Sequence, residues 1–346
     1  MRTATTVEAS AGWPETLEFV VEAEKLGLDQ CWVAEAWGSD APTVLGFLAA
    51  RTRRLRLGSG ILQLGVRTPV AAAQAALTLA ELSEGRFALG LGASGPQVIE
   101  GLHGVPFARP RTRMRETVEI IRSAFAGEKI SFSGRAFELP LPGKARPMRL
   151  STRPNEDIPI YLAALSPAML ELTGEIAEGW LGTSFVPERA GEAYFRHLDA
   201  GLAKSGRARS ALDVCQGAEV AFAADEDELR VMVGGRKKEL AFSLGGMGSA
   251  GTNFYNDAYR RQGWAEVATQ VRERWQSGDR AGAAALVTDE MVLATTLIGT
   301  EDMVGERLRV WRAAGIDTVR LYPAGTTVDE RLATLARALE LVREVG

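Results

Sequence analysis

Residues Phe87–Gln97 read FALGLGASGPQ, and within them Gly90–Gly95 spell G-L-G-A-S-G. This is a literal G-x-G-x-x-G after an apolar, strand-like run, the pattern that marks dinucleotide binding at the first turn of an open α/β sheet. That reading requires the motif in the first strand–helix–strand unit, a helix opening at once, and an acidic residue about 20 positions on at a strand end. The sequence meets none of these. The motif follows the fourth apolar strand, Pro96 comes directly after it, and the next helix is expected only near Arg111. Glu116 and Glu119 fall on that helix rather than at a strand end. The same pattern recurs at Gly246–Gly251 (G-M-G-S-A-G) with no strand before it. What remains is a tight loop whose amides and Ser94 hydroxyl suit an anion such as phosphate, or a barrel turn that needs glycine for its geometry.

Outward from this loop, short apolar runs alternate with amphipathic segments of helix length. Strands are expected at RTATTVEA, CWVAE, LRLGSGILQL, RFALGLG, IPIYLAA, GWLGTSF, LDVCQGAEVAFAA and DTVRLYP. Helices are expected over Pro14–Gly27, from Pro42, from Pro69 to Gly85 with Thr68 as N-cap, and over Arg111–Ala126. Others span Pro167–Glu178, begin at Pro187 and near Asp225, cover Asp302–Ala314, and form the tail, where Leu332, Leu335, Leu339 and Val342 keep helical spacing. Two stretches break the rhythm, the Pro- and Arg-rich 128–157 and the segment 245–298. Eight strands alternating with helices over 346 residues predict an α/β fold, a closed (β/α)8 TIM barrel forming a single domain with insertions at those two places.

Composition removes several function classes. Hydrophobic residues are 46% of the chain, enough for a large core, and the net charge of −4 leaves no electrostatic footprint for nucleic acid. No apolar run approaches the roughly 18 residues of a membrane span, and the N-terminus lacks a signal-peptide core, so a cytoplasmic protein is expected. Two cysteines, Cys31 and Cys215, both in strands, read as small buried hydrophobes. With only two histidines, His103 and His197, no metal site is expected.

In a TIM barrel, function sits on the loops after the strands' C-terminal ends. There the sequence places Glu35, Trp37 and Asp40 after the second strand, Gly58 and Gly60 within the third, Ser166 after the fifth, and Thr183 and Ser184 after the sixth. Glycines inside an apolar strand imply a bulge or close approach of a ligand. Asp40 reads as the N-cap of the following helix. The pocket so outlined is apolar and hydroxyl-rich, with one or two carboxylates, and suits a flat aromatic cofactor with a phosphate tail better than metal-assisted hydrolysis.

The stretches AEAWGSDA, GSGILQLGVRTP, LSEGRFALGLGASGPQVIEG, DIPIYLAALSP, GEIAEGW and GGMGSAGTNFYNDAYRRQG, spread over nearly the whole chain, resemble the bacterial luciferase-like superfamily. Within it they resemble the deazaflavin-dependent oxidoreductases related to methylenetetrahydromethanopterin reductase, the last stretch pointing to an actinobacterial subgroup. The resemblance implies coenzyme F420 at the C-terminal face of the barrel, with FMN, used by monooxygenases of the same fold, as the alternative. A third possibility is a non-catalytic cofactor-binding protein. It implies a small-molecule substrate, a homodimer, and a non-prolyl cis peptide between Gly60 and Ile61.

Carried over by position, Gln63 lies near the ring edge, Ala93, Ser94 and Gly95 contact the phosphate, and Ala164, Leu165 and Ser166 form a second tail-binding loop. Thr183 is a hydroxyl position, and Glu35 is an acidic position beside the ring and the candidate acid–base residue. The next position is often His in relatives and here is Ala36, so no mechanism using that imidazole operates in this chain. For the substrate pocket the candidates are Trp37, His103 and Tyr255. Tyr255, Tyr259 and Trp264 either line the cavity as a lid or pack the second insertion.

Overall fold

The computed structural model describes residues 1–8, 12–143, 145–249 and 251–345. Eight parallel strands close on themselves: β1 (Arg2–Val7), β2 (Gln30–Val33), β3 (Arg56–Ser59), β4 (Phe87–Gly92), β5 (Ile160–Ala163), β6 (Gly179–Gly182), β7 (Asp213–Phe222) and β8 (Thr318–Pro323). Each pairs with its sequence neighbour, and β8 returns to β1 through the register Arg2↔Thr318. This is the expected TIM barrel. The first strand ends at Val7, and Ala9, included in its predicted span, lies outside the described residues, as does Ala250 of the second glycine pattern.

The helices begin where short-range chemistry dictates. Thr68 accepts a hydrogen bond from the Ala71 amide ahead of the helix Pro69–Leu82, and Asp40 does the same for Thr43 ahead of Ala41–Arg51. Gly27 closes the helix Trp13–Leu26 in the left-handed conformation, with φ 96°. One departure concerns the opening motif. A single helical turn, Pro96–Ile99, starts directly after Gly95, well before the helix Pro110–Phe125.

Inside the barrel, Trp32 sits edge-on to Tyr161 with ring centroids 4.9 Å apart, and neighbouring strands carry glycine to make room. A Cβ on Gly58 would lie 2.4 Å from the Trp32 ring, and one on Gly179 would lie 2.0 Å from Tyr161. Gly58 therefore answers to indole packing, not to a ligand. The two cysteines are buried, and desolvation pushes both thiols up to about 12.

Both insertions hold more structure than the sequence suggests. Within 128–157, Phe132–Ser133 pairs antiparallel with Glu138–Leu139. The buried Glu116 carboxylate accepts the amides of Arg135, Ala136 and Phe137 at 2.8–3.0 Å, so this residue clamps a hairpin. The second insertion begins on a long helix, Glu226–Gly246. Against it pack helices Phe254–Tyr259, Ala265–Gln276, Arg280–Leu286 and Asp289–Thr295, around a separate apolar core that includes Leu240, Leu244, Tyr259, Val271 and Met291. A short strand, Leu297–Gly299, then joins the end of β7.

Candidate functional site

A cavity of about 520 Å³ opens at the C-terminal mouth of the barrel, walled by the ends of β2, β3, β4 and β5 and roofed by the second insertion. It brings together Gly60, Ile61 and Gln63, the loop Ala93–Gly95, the loop Ala164–Ser166, and Trp37 and Tyr255. Three predicted residues are not brought in. Glu35, Thr183 and His103 do not line the cavity. A larger crevice of about 630 Å³ lies between the turn at Pro187 and the insertion helices, and none of the predicted site residues lines it. Its Arg307 is already engaged by Glu188 and by the Ala294 carbonyl.

Glu35 sits in an ion pair beside the cavity. Its carboxylate is buried and accepts from Arg67 Nη1 at 2.7 and 2.8 Å, while the other arm of the guanidinium reaches Asp40. The sequence hides this because Arg67 lies 32 residues away, on the loop after β3. The ion pair ties the β2 and β3 loops together beside the cavity, which Ala34 and Ala36 line on either side of Glu35. At Asp40, burial works to raise the carboxyl, but hydrogen bonds from Thr43 and the charge of Arg67 outweigh it and hold the group below its ordinary range.

Backbone conformation marks this mouth. The Gly60–Ile61 peptide is cis. Ala36, Ser94 and Ser184, after β2, β4 and β6, have φ of 38°, 60° and 54°, values uncommon for residues other than glycine. The Ala36 carbonyl accepts from the Gln63 side-chain amide, which fixes that side chain on the cavity wall. Gln63 is buried and its Oε1 has no partner.

The three glycines of the opening motif serve different ends. A Cβ on Gly90 would meet the Ser59 carbonyl at 1.9 Å, and one on Gly92 would meet Ile61 at 2.7 Å. Both are demanded by barrel packing. A Cβ on Gly95 would enter open space, and Gly95 lines the cavity. Ser166 precedes the helix Pro167–Ile176, yet its side chain accepts no capping hydrogen bond; Pro167 has no N–H and the Met169 amide bonds the Ser166 carbonyl at 3.0 Å, which leaves the Ala168 amide open at that helix start.

The roof is Phe242, Met247, Thr252, Phe254 and Tyr255. Most of the polar residues in the NFYNDAYRRQG stretch build the roof rather than face the cavity. Asn253 donates to the Ser243 and Leu244 carbonyls, and Asn256 to those of Leu244 and Ala268. Arg261 reaches the Leu165 carbonyl at 2.6 Å and that of Ala193 at 2.8 Å. Gln262 accepts from the Val186 amide and donates to the Ser184 carbonyl. The insertion is thus tied to the ends of β5 and β6. Tyr259 and Trp264 pack inside it, with ring centroids 6.0 Å apart.

Among the described residues, no charged side chain lines this cavity. Among the same residues no cluster able to hold a metal is found, and no helix is long and apolar enough to cross a membrane. The donor set is backbone amide, serine hydroxyl and carboxamide, with apolar surface between. It fits a flat heterocycle carrying an anionic tail. The unpartnered Gln63 Oε1 can accept a ring N–H, and the small loops at Gly95 and Ser166 leave amides for an anion.

The family model for the luciferase-like monooxygenases matches residues 1–318. A Mycobacterium tuberculosis protein provisionally named a coenzyme F420-dependent oxidoreductase is 40% identical over 323 residues, covering 91% of this chain and 92% of that protein. The 5,10-methylenetetrahydromethanopterin reductase of Archaeoglobus fulgidus is 32% identical over 305 residues, 88% of each chain. The structure of the coenzyme F420-dependent tetrahydromethanopterin reductase of Methanopyrus kandleri superposes with a TM-score of 0.82 over 100% of this chain and 99% of that one, at 24% identity. It shares the barrel and its elaborations. Matched across most of its length by sequence, the chain belongs to the luciferase-like monooxygenase family.

Proposed function

We propose that this chain is an F420-dependent oxidoreductase, moving hydride between the deazaflavin and a small or medium organic substrate. The reaction is reduction of a C=C or C=N bond, or oxidation of an alcohol. The observation that carries the cofactor is 40% identity, over 91% of the chain, to a protein provisionally named for F420. The uncharged cavity with its free Gln63 Oε1 supports it.

When bound, the deazaflavin supplies hydride chemistry at a carbon where flavins carry N5, and scarcely reacts with oxygen. The protein's part is to bind, orient and exclude water. Gly60, Ile61 and Gln63 hold the ring against the barrel. Ala93, Ser94 and Gly95, with Ala164, Leu165 and Ser166, hold the tail through backbone amides and hydroxyls. Glu35 is a positioning residue, acting through Arg67 on the loops that carry Ala36 and Gln63. Trp37 and Tyr255 close the substrate side.

Parallel titrations with F420 and FMN, read by absorbance and fluorescence, test this. Saturable F420 binding is expected, with FMN at least about tenfold weaker. Tight FMN binding without F420 binding would replace the reading with the flavin-dependent one. The same reading includes a homodimer, which light scattering on the purified protein tests.

A further inference from the structure

The two halves of the cavity wall differ in chemistry. The barrel half is small residues and backbone, from Gly60, Gly92–Gly95 and Ala163–Ser166. The roof half is mostly aromatic and apolar, with Phe242, Met247 and Phe254 and the adjoining Trp37 and Phe107 from the barrel loops, beside Thr252 and Tyr255. Among the described residues lining the cavity, only Tyr255 carries an ionisable group. Its hydroxyl has no hydrogen-bond partner among the described residues, although the side chain is half-buried. Desolvation first, then the neighbouring Tyr322, raises its pKa, so it stays a neutral donor.

A carboxylate or phosphate placed under such a roof would lose part of its hydration and find no cation in return, a cost that grows with burial among apolar groups. A planar neutral molecule loses little and gains aromatic contact. Thr252 Oγ1 in the roof is already engaged by Ser249, so the Tyr255 hydroxyl is the roof donor left open, and one such donor amid mostly apolar surface fixes one polar atom of such a molecule and so sets its orientation. We infer that the roof half takes an uncharged, planar, largely apolar substrate bearing one oxygen acceptor, held by the Tyr255 hydroxyl.

This rests on the proposed function, in which the barrel half holds the cofactor. It makes Tyr255 a specificity-determining residue and the cavity closed to sugar phosphates and organic acids. The hydroxyl donates a hydrogen bond and keeps its proton as the substrate binds.

The test uses the full chain, with and without F420, and two matched probes: 2-acetylnaphthalene and 2-naphthoate. Binding is read by quenching of tryptophan fluorescence and by calorimetry. The ketone should bind at least about a hundredfold more tightly than the carboxylate. Tyr255→Phe should weaken the ketone about fivefold to tenfold while leaving F420 affinity unchanged. Met247→Lys, which brings a cation to the half-buried edge of the roof, should admit the carboxylate. Equal or tighter binding of the carboxylate to the unaltered protein would overturn the inference. So would a Tyr255→Phe variant with unchanged ketone affinity. Discrimination that persists in a protein that does not bind F420 would remove the cofactor reading and leave this one standing.

Discussion

The two ends of the barrel treat their polar groups in opposite ways. At the N-terminal end, carboxylates cap the strand starts. Asp29 takes the Thr3 amide at 2.8 Å, Glu24 the Leu55 amide at 2.8 Å, Glu178 the Ile160 amide at 2.9 Å, and Asp317 the Val214 amide at 2.8 Å. Asp213, buried at the start of β7, accepts from Tyr161 at 2.7 Å and Thr318 at 3.0 Å and pairs with Arg2. At the C-terminal end the pattern inverts. Gln63 keeps an oxygen unpartnered, Ser166 leaves its helix uncapped, and three non-glycine residues adopt positive φ. The N-terminal end is mostly closed chemistry that holds the barrel together, the buried Gln30 Oε1 at the start of β2 being without a partner. The other leaves donors and acceptors open for a ligand, the division expected of this fold.

Mutations that mix the two ends should break this division in a predictable order. Asp213→Ala strands two buried hydroxyls and should lower unfolding free energy by about 3–5 kcal/mol in denaturant melts, with F420 affinity unchanged in the folded fraction. Gly90→Ala forces a methyl onto the Ser59 carbonyl, which cannot yield, and should cost about 3 kcal/mol by the same measurement. Gly95→Leu, in the same motif, should leave stability within about 0.5 kcal/mol, because nothing lies within 4 Å of its Cβ position. It fills the cavity, however, and should weaken F420 by about a hundredfold. Gln63→Leu removes the open acceptor and should weaken F420 by about tenfold.

The smallest effect concerns pH on the packed side of the molecule. Hydrogen bonding from Arg115, against desolvation and with help from Lys204, holds Glu175 below its ordinary value of 4.5. Its stabilising contribution is therefore complete above about 4.5 and fades as pH falls through the lower folded-state value. Glu175→Gln should lose about 0.5–1 kcal/mol near pH 7, and that gap should close near pH 3, by urea unfolding at each pH.

Much of the barrel was legible because its signals are local. The Asp40 and Thr68 caps, the Gly27 stop and the alternation of apolar runs each need only a few neighbouring residues. Gly60, Ala93–Gly95 and Ser166 could be placed at the mouth because strand ends of a barrel converge, whereas Ile61, Gln63, Ala164 and Leu165 rest on the family resemblance. What stayed hidden depends on distant partners. The Glu35–Arg67 ion pair joins residues 32 positions apart and leaves no local signal. Gly90 and Gly95 are indistinguishable in GLGASG, yet one faces a carbonyl and the other a void. The turn at Pro96 is too short for a periodic signal. Phe242 and Met247 reach the cavity only through the fold of the insertion, whose packing no local pattern specifies.

The central claim, that the open C-terminal end holds F420, is tested most directly by titrating F420 fluorescence against the unaltered protein and Gly95→Leu side by side. One saturable site per chain is predicted for the former, weakened about a hundredfold in the latter, with both proteins equally stable. Undiminished F420 binding by Gly95→Leu would contradict the account.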